Sequence, residues 1–427
     1  MTAFLRPGAL VALGAAVLAA PAPASAQTTL QLVEVITSPQ RTEVVQKLVD
    51  QFEAANPGVT VEITSLPWGQ AFEKLATMVQ GGQIPDVVEM PDRWMALYAN
   101  NKQLVDLGPY MESWANADQL NERTVEFGSV VNDTMYMVPY GFYLRAMFWN
   151  KKLFGEAGLD GSPETMDEFI EASKKISELG GGKAGYCLRG GPGGANGYIM
   201  MMLNMMGHDD YFDAAGNSNL NSPDAIKGLQ FLIDLYQNGY APRDSVNWGF
   251  NEIVAGFYSG TCAMLDQDPD ALIAVKERMN PEDFAVAPMP LGPAGKSFPT
   301  IGYAGWSMFE ASQHKDDAWQ LIAHLSSPES NLEWSKFVGV IPIYQGAEQD
   351  PAFATEQYAG WFTELNDERW QPTSMPTYLE EFGYFADVIV VQTGQEALLG
   401  QRSAEDVANE WAEYLTAAQQ KWRASRQ

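Results

Sequence analysis

Residues 135–169 read MYMVPYGFYLRAMFWNKKLFGEAGLDGSPETMDEF. Apolar and aromatic side chains crowd around one arginine, Arg145, with Tyr140 and Tyr143 just before it. Pro163 and Thr165 then open an amphipathic helix in which Met166, Phe169 and Ile170 fall on one face. On its residues alone, the stretch is a buried strand followed by a surface helix.

Upstream, the alternation is regular. Leu30, Leu32 and Val35 make a strand that Ser38-Pro39 breaks. Val44, Val45, Leu48, Val49 and Phe52 have helical spacing, and Asn56-Pro57-Gly58 ends that helix. Val59, Val61 and Ile63 alternate as a second strand. A helix over 71–79, a buried strand over 86–90 and a helix over 92–100 complete a doubly wound α/β pattern. Downstream the pattern loosens. Helices are expected at 166–179, at 198–206, from Pro223, at 315–326, at 329–337 and at 404–423. Strands are expected at 184–188, 262–265 and 284–289. Residues 288–299, with four prolines, read as a linker.

The ordered motifs resemble the family 1 extracellular solute-binding proteins, the sugar-capturing receptors of ABC importers. Pro139, Trp149-Asn150-Lys151, Leu153-Phe154, Ala157-Gly158-Leu159 and Pro163 to Thr165 match the family's hinge-crossing segment, with Met166 where the family usually has Trp. Pro85-Asp86-Val87-Val88 with Trp94, Leu104 to Leu107, Phe257 to Met264, Pro288 to Gly295 with Gly302 to Trp306, and Ala318-Trp319 with Leu325 to Pro328 follow in family order. The resemblance implies a two-lobed α/β periplasmic binding protein of type II, with a three-segment hinge near Pro139–Phe142, Phe298–Tyr303 and Gly339–Ile343. Residues 27–139 and 303–341 would form the N-terminal lobe, and 140–302 with 342–427 the C-terminal lobe. It implies capture of a carbohydrate by hinge closure and delivery to the importer's membrane permease subunits, with the receptor a monomer.

Bulk properties fit. Residues 1–26 read as a signal peptide: Arg6, a short apolar run over 9–20, and Ala24-Ser25-Ala26 as the cleavage site. Gln27 follows the cut where a lipoprotein needs Cys, so a soluble periplasmic product is expected. The 427 residues carry 54 acidic against 26 basic side chains, a formal charge of −28. That excludes nucleic acid and anionic membranes as expected partners. Cys187 and Cys262 are the only cysteines. An oxidising compartment permits a disulfide between them. Two separate buried thiols are the default reading, because sequence cannot supply the distance.

In open α/β folds the ligand lies beyond the carboxyl ends of the strands. This rule nominates Ser38 and Gln40 in the first loop, Trp68 and Gln70 in the second, and Glu89, Asp92 and Arg93 in the third. Tyr140, Tyr143 and Arg145 mark the first crossing. The second lobe offers Arg189 and Asn196, then Trp248 beside Phe250, then Asp266 and Asp268 around Gln267. The return crossing offers Gly302, Gly305 and Trp306 around Tyr303. These residue types suit a sugar. Carboxylates, guanidinium groups and amides bind rim hydroxyls, and indole rings cover the C–H face. Each also has a plain structural role: Asp92 as a helix cap, Arg145 paired to a carboxylate, Gly302 and Gly305 as turn residues.

Other motifs fall short. Gly180, Gly182 and Gly185 match Gly-x-Gly-x-x-Gly but end a helix, which makes them a C-cap. Gly295-Lys296-Ser297 lacks the first glycine of a phosphate loop. Asp266, Asp268, Asp270 and Glu277 have EF-hand spacing, yet Ala271 replaces the turn glycine. Three scattered histidines and no Gly-x-Ser-x-Gly leave no catalytic pattern. A binding protein is therefore expected, without cofactor or metal. The alternative ligand is an anionic polyol, such as a glycerol-phosphate or sulfonated sugar, held by Arg93, Arg145 and Arg189. A secreted glycoside-processing enzyme ranks last.

Overall fold

The computed structural model describes residues 1–2 and 28–426. The expected signal segment and its cleavage before Gln27 lie outside the described residues, apart from Met1 and Thr2. Two sheets divide the chain between two lobes. The first has five strands in the order β2-β1-β3-β9-β4. Here β1 is Thr28–Glu34, β2 is Val59–Ser65, β3 is Val87–Pro91, β4 is Val138–Leu144 and β9 is Ile301–Met308. The first three run parallel, and β9 runs antiparallel between β3 and β4. The second sheet has the order β6-β7-β5-β8. Its strands are β5, Ala146–Asn150; β6, Ala184–Tyr186; β7, Cys262–Gln267; and β8, Phe284–Ala287.

Local chemistry sets the element ends. Ser38 Oγ accepts from the Arg41 N–H at 3.3 Å, and Pro39 occupies the first turn of helix Pro39–Ala55. Val45, Leu48, Val49 and Phe52 then bury one stripe of that helix. Thr165 caps helix Met166–Glu178 as expected. The buried stripe there is Met166, Phe169, Ala172, Ser173 and Ile176, whereas Ile170 is exposed. Ile170 sits about 100° past Phe169 and falls off the stripe. Gly180, Gly181 and Gly182 all take positive φ after that helix, so the glycine motif is a helix end.

The first crossing falls later than expected. β4 stays in the first sheet through Leu144, and β5 begins the second sheet at Ala146. Arg145 is thus the crossing residue, and 140–144 belong with the first lobe. The single strand expected here is two, split by that one residue. The chain returns to the first sheet at Ile301, ahead of the expected boundary at 302/303. It stays on the first lobe through Tyr344, which bridges Leu120, after Ile341 bridges Phe142. Helix Ala359–Asn366 then packs on β8 and β5. Residues 288–299 are not a free linker. Asn204 Oδ1 accepts from Ser297 Oγ at 3.3 Å and from the Phe298 N–H at 2.6 Å. One hydrophobic cluster runs through both lobes, joining Phe142 and Leu144 to Ala146 and Phe148.

Cys187 and Cys262 form a disulfide with Cα atoms 5.4 Å apart, which corrects the default of two thiols. The parallel pairing of β6 with β7 sets Ala184 opposite Cys262, and Cys187 follows β6 close by. Among the described residues, no helix is long and apolar enough to cross a membrane.

Candidate functional site

A cavity of about 600 Å³ lies between the lobes, at the carboxyl ends of β1, β2, β3, β6 and β7. Its size is typical of a small-molecule site. One wall is aromatic. Trp68, half-buried at the start of helix Trp68–Gln80, stacks on Trp94 with centroids 5.3 Å apart and planes 10° off parallel. Trp94 is buried, and its Nε1 donates to Asp387 Oδ2 at 2.7 Å. Beside them Arg93 donates from Nη1 to Asp387 Oδ1 at 3.2 Å and from Nη2 to Asn196 Oδ1 at 2.8 Å. Asp92 follows β3 directly. Its Oδ1 accepts from the Arg93 N–H at 2.7 Å. Its Oδ2 completes no hydrogen bond among the described residues, and the Tyr303 N–H lies near the carboxyl group. Burial pushes the Asp92 carboxyl up to about 6, against the pull of Arg93.

The floor is an ion cluster. Arg41, 2% exposed, reaches from the first helix to Asp270 Oδ1 at 2.8 Å and Glu89 Oε1 at 3.1 Å. It also donates to Tyr140 Oη at 3.2 Å and Tyr143 Oη at 3.4 Å, and lies 4.7 Å over the Trp334 ring. Burial works against its charge, but Asp270, the two tyrosines and Glu89 hold its pKa well above the ordinary value. Asp270 comes from the second lobe, so this is a buried bridge between lobes. Gln40 makes a second one, donating to Glu277 at 3.3 Å.

The opposite wall carries Arg189, Asn196, Gln267, Asp268 and Phe250. Arg189 donates through Nε to the Pro192 carbonyl at 2.7 Å. Burial, then the nearby Arg145 guanidinium, lowers its pKa to about 9. Gln267 donates Nε2 to Asp268 at 2.8 Å, while its Oε1 has no partner among the described residues. Burial and the neighbouring Asp270 push Asp268 up to about 6. The cleft therefore offers an indole platform, two unengaged acceptor oxygens and a buried guanidinium. That suits a polar, hydroxyl-bearing molecule with an apolar face.

Residues 38–332 match the model of the bacterial extracellular solute-binding proteins. The chain belongs to that family. A Brucella abortus (strain 2308) chain, whose name specifies no ligand, is 26% identical over 75% of this chain and 78% of its own length. The multiple sugar-binding protein of Streptococcus mutans is 23% identical, covering 71% of this chain and 73% of that one. Among solved structures, the maltose-bound MalE3 of T. maritima superposes with a TM-score of 0.80 at 25% identity, over 91% of this chain and 99% of that one. The two-lobed fold and family expected from the sequence are both established. An extracellular solute-binding protein works outside the cytoplasm, and the family is one of binding proteins.

In this solute-binding protein, Ser38, Gln40, Trp68, Gln70, Asp92, Arg93, Tyr143, Arg189, Asn196, Asp268 and Gly302 line the cleft together. Seven other nominees sit away from it. Glu89 lies beneath, accepting from the Val35 and Ile36 N–H groups at 2.6 and 2.8 Å as well as from Arg41. Tyr140 donates to Glu89 at 2.5 Å. Arg145 donates from Nη1 to both the carbonyl and Oδ2 of Asp266 at 2.7 Å, and Asp266 also accepts from Tyr186. Both are 1% exposed and lock the crossing. Trp248 packs over Gly256 beside Cys262. Trp306 packs against Tyr140, centroids 5.5 Å apart, on the far face of β9. Gly305 is there for closeness: a Cβ on it would lie 2.2 Å from the Val138 carbonyl. Of the EF-hand-like carboxylates, Asp266, Asp270 and Glu277 are taken up by Arg145, Arg41 and Gln40, and Asp268 accepts from Gln267 Nε2.

Four charged groups escaped the strand-end rule. Arg41 and Glu252 lie inside first helical turns, and Asp270 lies in a short turn after β7. Asp387 comes from the C-terminal helices and touches the site only through the fold.

Proposed function

We propose that this protein is the receptor of an ABC importer for a neutral carbohydrate or polyol, which it grips between its lobes by hinge closure. The observation that carries the reading is the charge pairing in the cleft. Arg41 has Glu89 and Asp270, Arg93 has Asp387, and Arg145 beneath the wall has Asp266. Asp92, Glu252, Asp268 and Asp270 line the same cavity. Buried cations already matched by carboxylates have little to gain from an anion. Asp92 Oδ2 and Gln267 Oε1, one from each lobe and without a hydrogen-bond partner among the described residues, are acceptors for hydroxyl hydrogens, and Trp68 suits a sugar's C–H face. The maltose-bound and sugar-binding relatives support the same class.

In this reading the signal peptide is removed after Ala26 and the monomer works in the periplasm, where the Cys187–Cys262 disulfide persists. The closed form docks on the permease subunits. It is not a lipoprotein, carries no cofactor and performs no chemistry on its cargo. The first lobe comprises 28–144 with 301–344, and the second 146–300 with 345–426. The anionic-ligand reading keeps one supporting observation: Arg189 engages only Nε among the described residues.

Thermal unfolding against a panel of neutral mono- and disaccharides, sugar alcohols and sugar phosphates tests the proposal. A neutral member at a hundredfold excess over its Kd adds about 2.7 kcal/mol and raises Tm. Shifts confined to the phosphates, weakening with salt, would move the assignment to the anionic class.

A further inference from the structure

The C-terminal stretch, outside the family-matched residues, carries an irregular turn. Residues Phe385–Ile389 form a π-helix between helices Phe382–Tyr384 and Val390–Leu398. An extra residue in a helical turn re-aims its side chains, and such turns concentrate at functional sites. Here the re-aimed side chain is Asp387. Phe382 and Phe385 anchor the turn in the second lobe's core. Asp387 crosses from there to the first lobe, accepting from Arg93 Nη1 at 3.2 Å and from Trp94 Nε1 at 2.7 Å. It does not line the cavity, but it holds what does. Arg93 is a lining residue, and Trp94 backs the Trp68 platform.

We infer that Asp387 is a positioning residue that sets the charge selectivity of the cleft, holding Arg93 compensated so that neutral saccharides are preferred over their anionic forms. The inference rests on the carbohydrate reading above. Arg93 and Asp387 are only 5% and 13% exposed, so solvent screens their interaction weakly. With the carboxylate in place, the guanidinium has its counter-charge. An amide at position 387 keeps the shape and still accepts from the Trp94 indole, but leaves the guanidinium with only the longer 3.9 Å contact from its Nε to Asp92 Oδ1 as a negative partner. An acidic group on a ligand then supplies it. Hydroxyl groups, which carry no net charge, respond far less.

The test is calorimetric titration with matched pairs: glucose and glucuronate, galactose and galacturonate, mannose and mannuronate. Asp387→Asn raises the uronate-to-hexose affinity ratio by about tenfold, the scale of one close charge pair. Asp387→Glu, which keeps the charge, restores the wild-type ratio. Arg93→Gln shifts the ratio the other way, because Asp387 is then the unmatched charge. An unmoved ratio in folded Asp387→Asn overturns the inference. If that variant does not fold by circular dichroism, the Arg93→Gln arm decides alone. Wild-type protein that binds neither these hexoses nor any neutral disaccharide or sugar alcohol of the panel counts against the carbohydrate reading beneath. Hexose binding with unmoved ratios counts against Asp387 only.

Discussion

Arg41 and Asp92 show how single residues hold this cleft in tension. Arg41 neutralises Glu89 and Asp270 from opposite lobes, with all three side chains buried. Arg41→Ala leaves two buried carboxylates without their cation and is expected to cost about 3–5 kcal/mol. Urea unfolding checks this; an unchanged midpoint and slope would refute the bridge. Asp92 acts in the opposite sense. Its folded pKa is about 6, above the ordinary value of 3.8, so the folded protein binds its proton more tightly. Its ionisation therefore weakens the fold as pH rises through the window from about 4 to 6. Asp92→Asn should be more stable than wild type by about 3 kcal/mol at pH 7, with the advantage fading as pH falls through that window and nearly gone at about pH 4. The same variant should lose ligand affinity. Denaturation at the two pH values decides, and a variant weaker than wild type at pH 7 contradicts the account. Asp92 was legible because it directly follows a strand. Arg41 was not, because a rule that nominates loops passes over the first turn of a helix. Trp306 was nominated as part of the return crossing, but strand alternation sets it on the face opposite Tyr303.

At the scale of elements, the decisive event is the change of sheet at Arg145. β4 and β5 are both buried, so their residues form one continuous apolar run without a break in alternation. Nothing in that run marks where the hydrogen-bond partners change, and the crossing was expected too early for this reason. The disulfide was hidden in a similar way: two cysteines 75 residues apart give no distance until β6 and β7 pair. It closes a long loop and is expected to contribute about 4 kcal/mol. Cys187→Ala/Cys262→Ala should unfold at correspondingly lower urea, and wild type treated with reductant should follow it. Equal midpoints with and without the disulfide would rule this out. Helix Met166–Glu178 lies so close on β6 that a Cβ at Gly185 would fall 2.1 Å from Ser173 Cα. Gly185→Ala should therefore lose about 1–3 kcal/mol, since backbone atoms cannot swing aside. A neutral substitution there would show the packing to be looser.

At the scale of the molecule, the acidic surface and the cleft serve different ends. The formal charge of −28 opposes self-association, while the cleft itself, lined by Arg41, Arg93 and Arg189 against Asp92, Glu252, Asp268 and Asp270, is close to balanced. Bridges between the lobes run through Arg41–Asp270, Gln40–Glu277, Arg93–Asn196 and Arg93–Asp387. The two-lobed plan was legible because each motif recurs in order along nearly the whole chain. The C-terminal contribution to the cleft was not, since Asp387 meets Arg93 across 294 residues of sequence. The central claim is that a neutral carbohydrate or polyol sits between these lobes. The measurement that tests it most directly is a crystal structure of the mature protein with the neutral saccharide that most raises its Tm. The ring is expected on Trp68, with hydroxyls on Asp92 Oδ2 and Gln267 Oε1. A ligand bound outside the cleft, or one held by Arg189 through an acidic group, would contradict it.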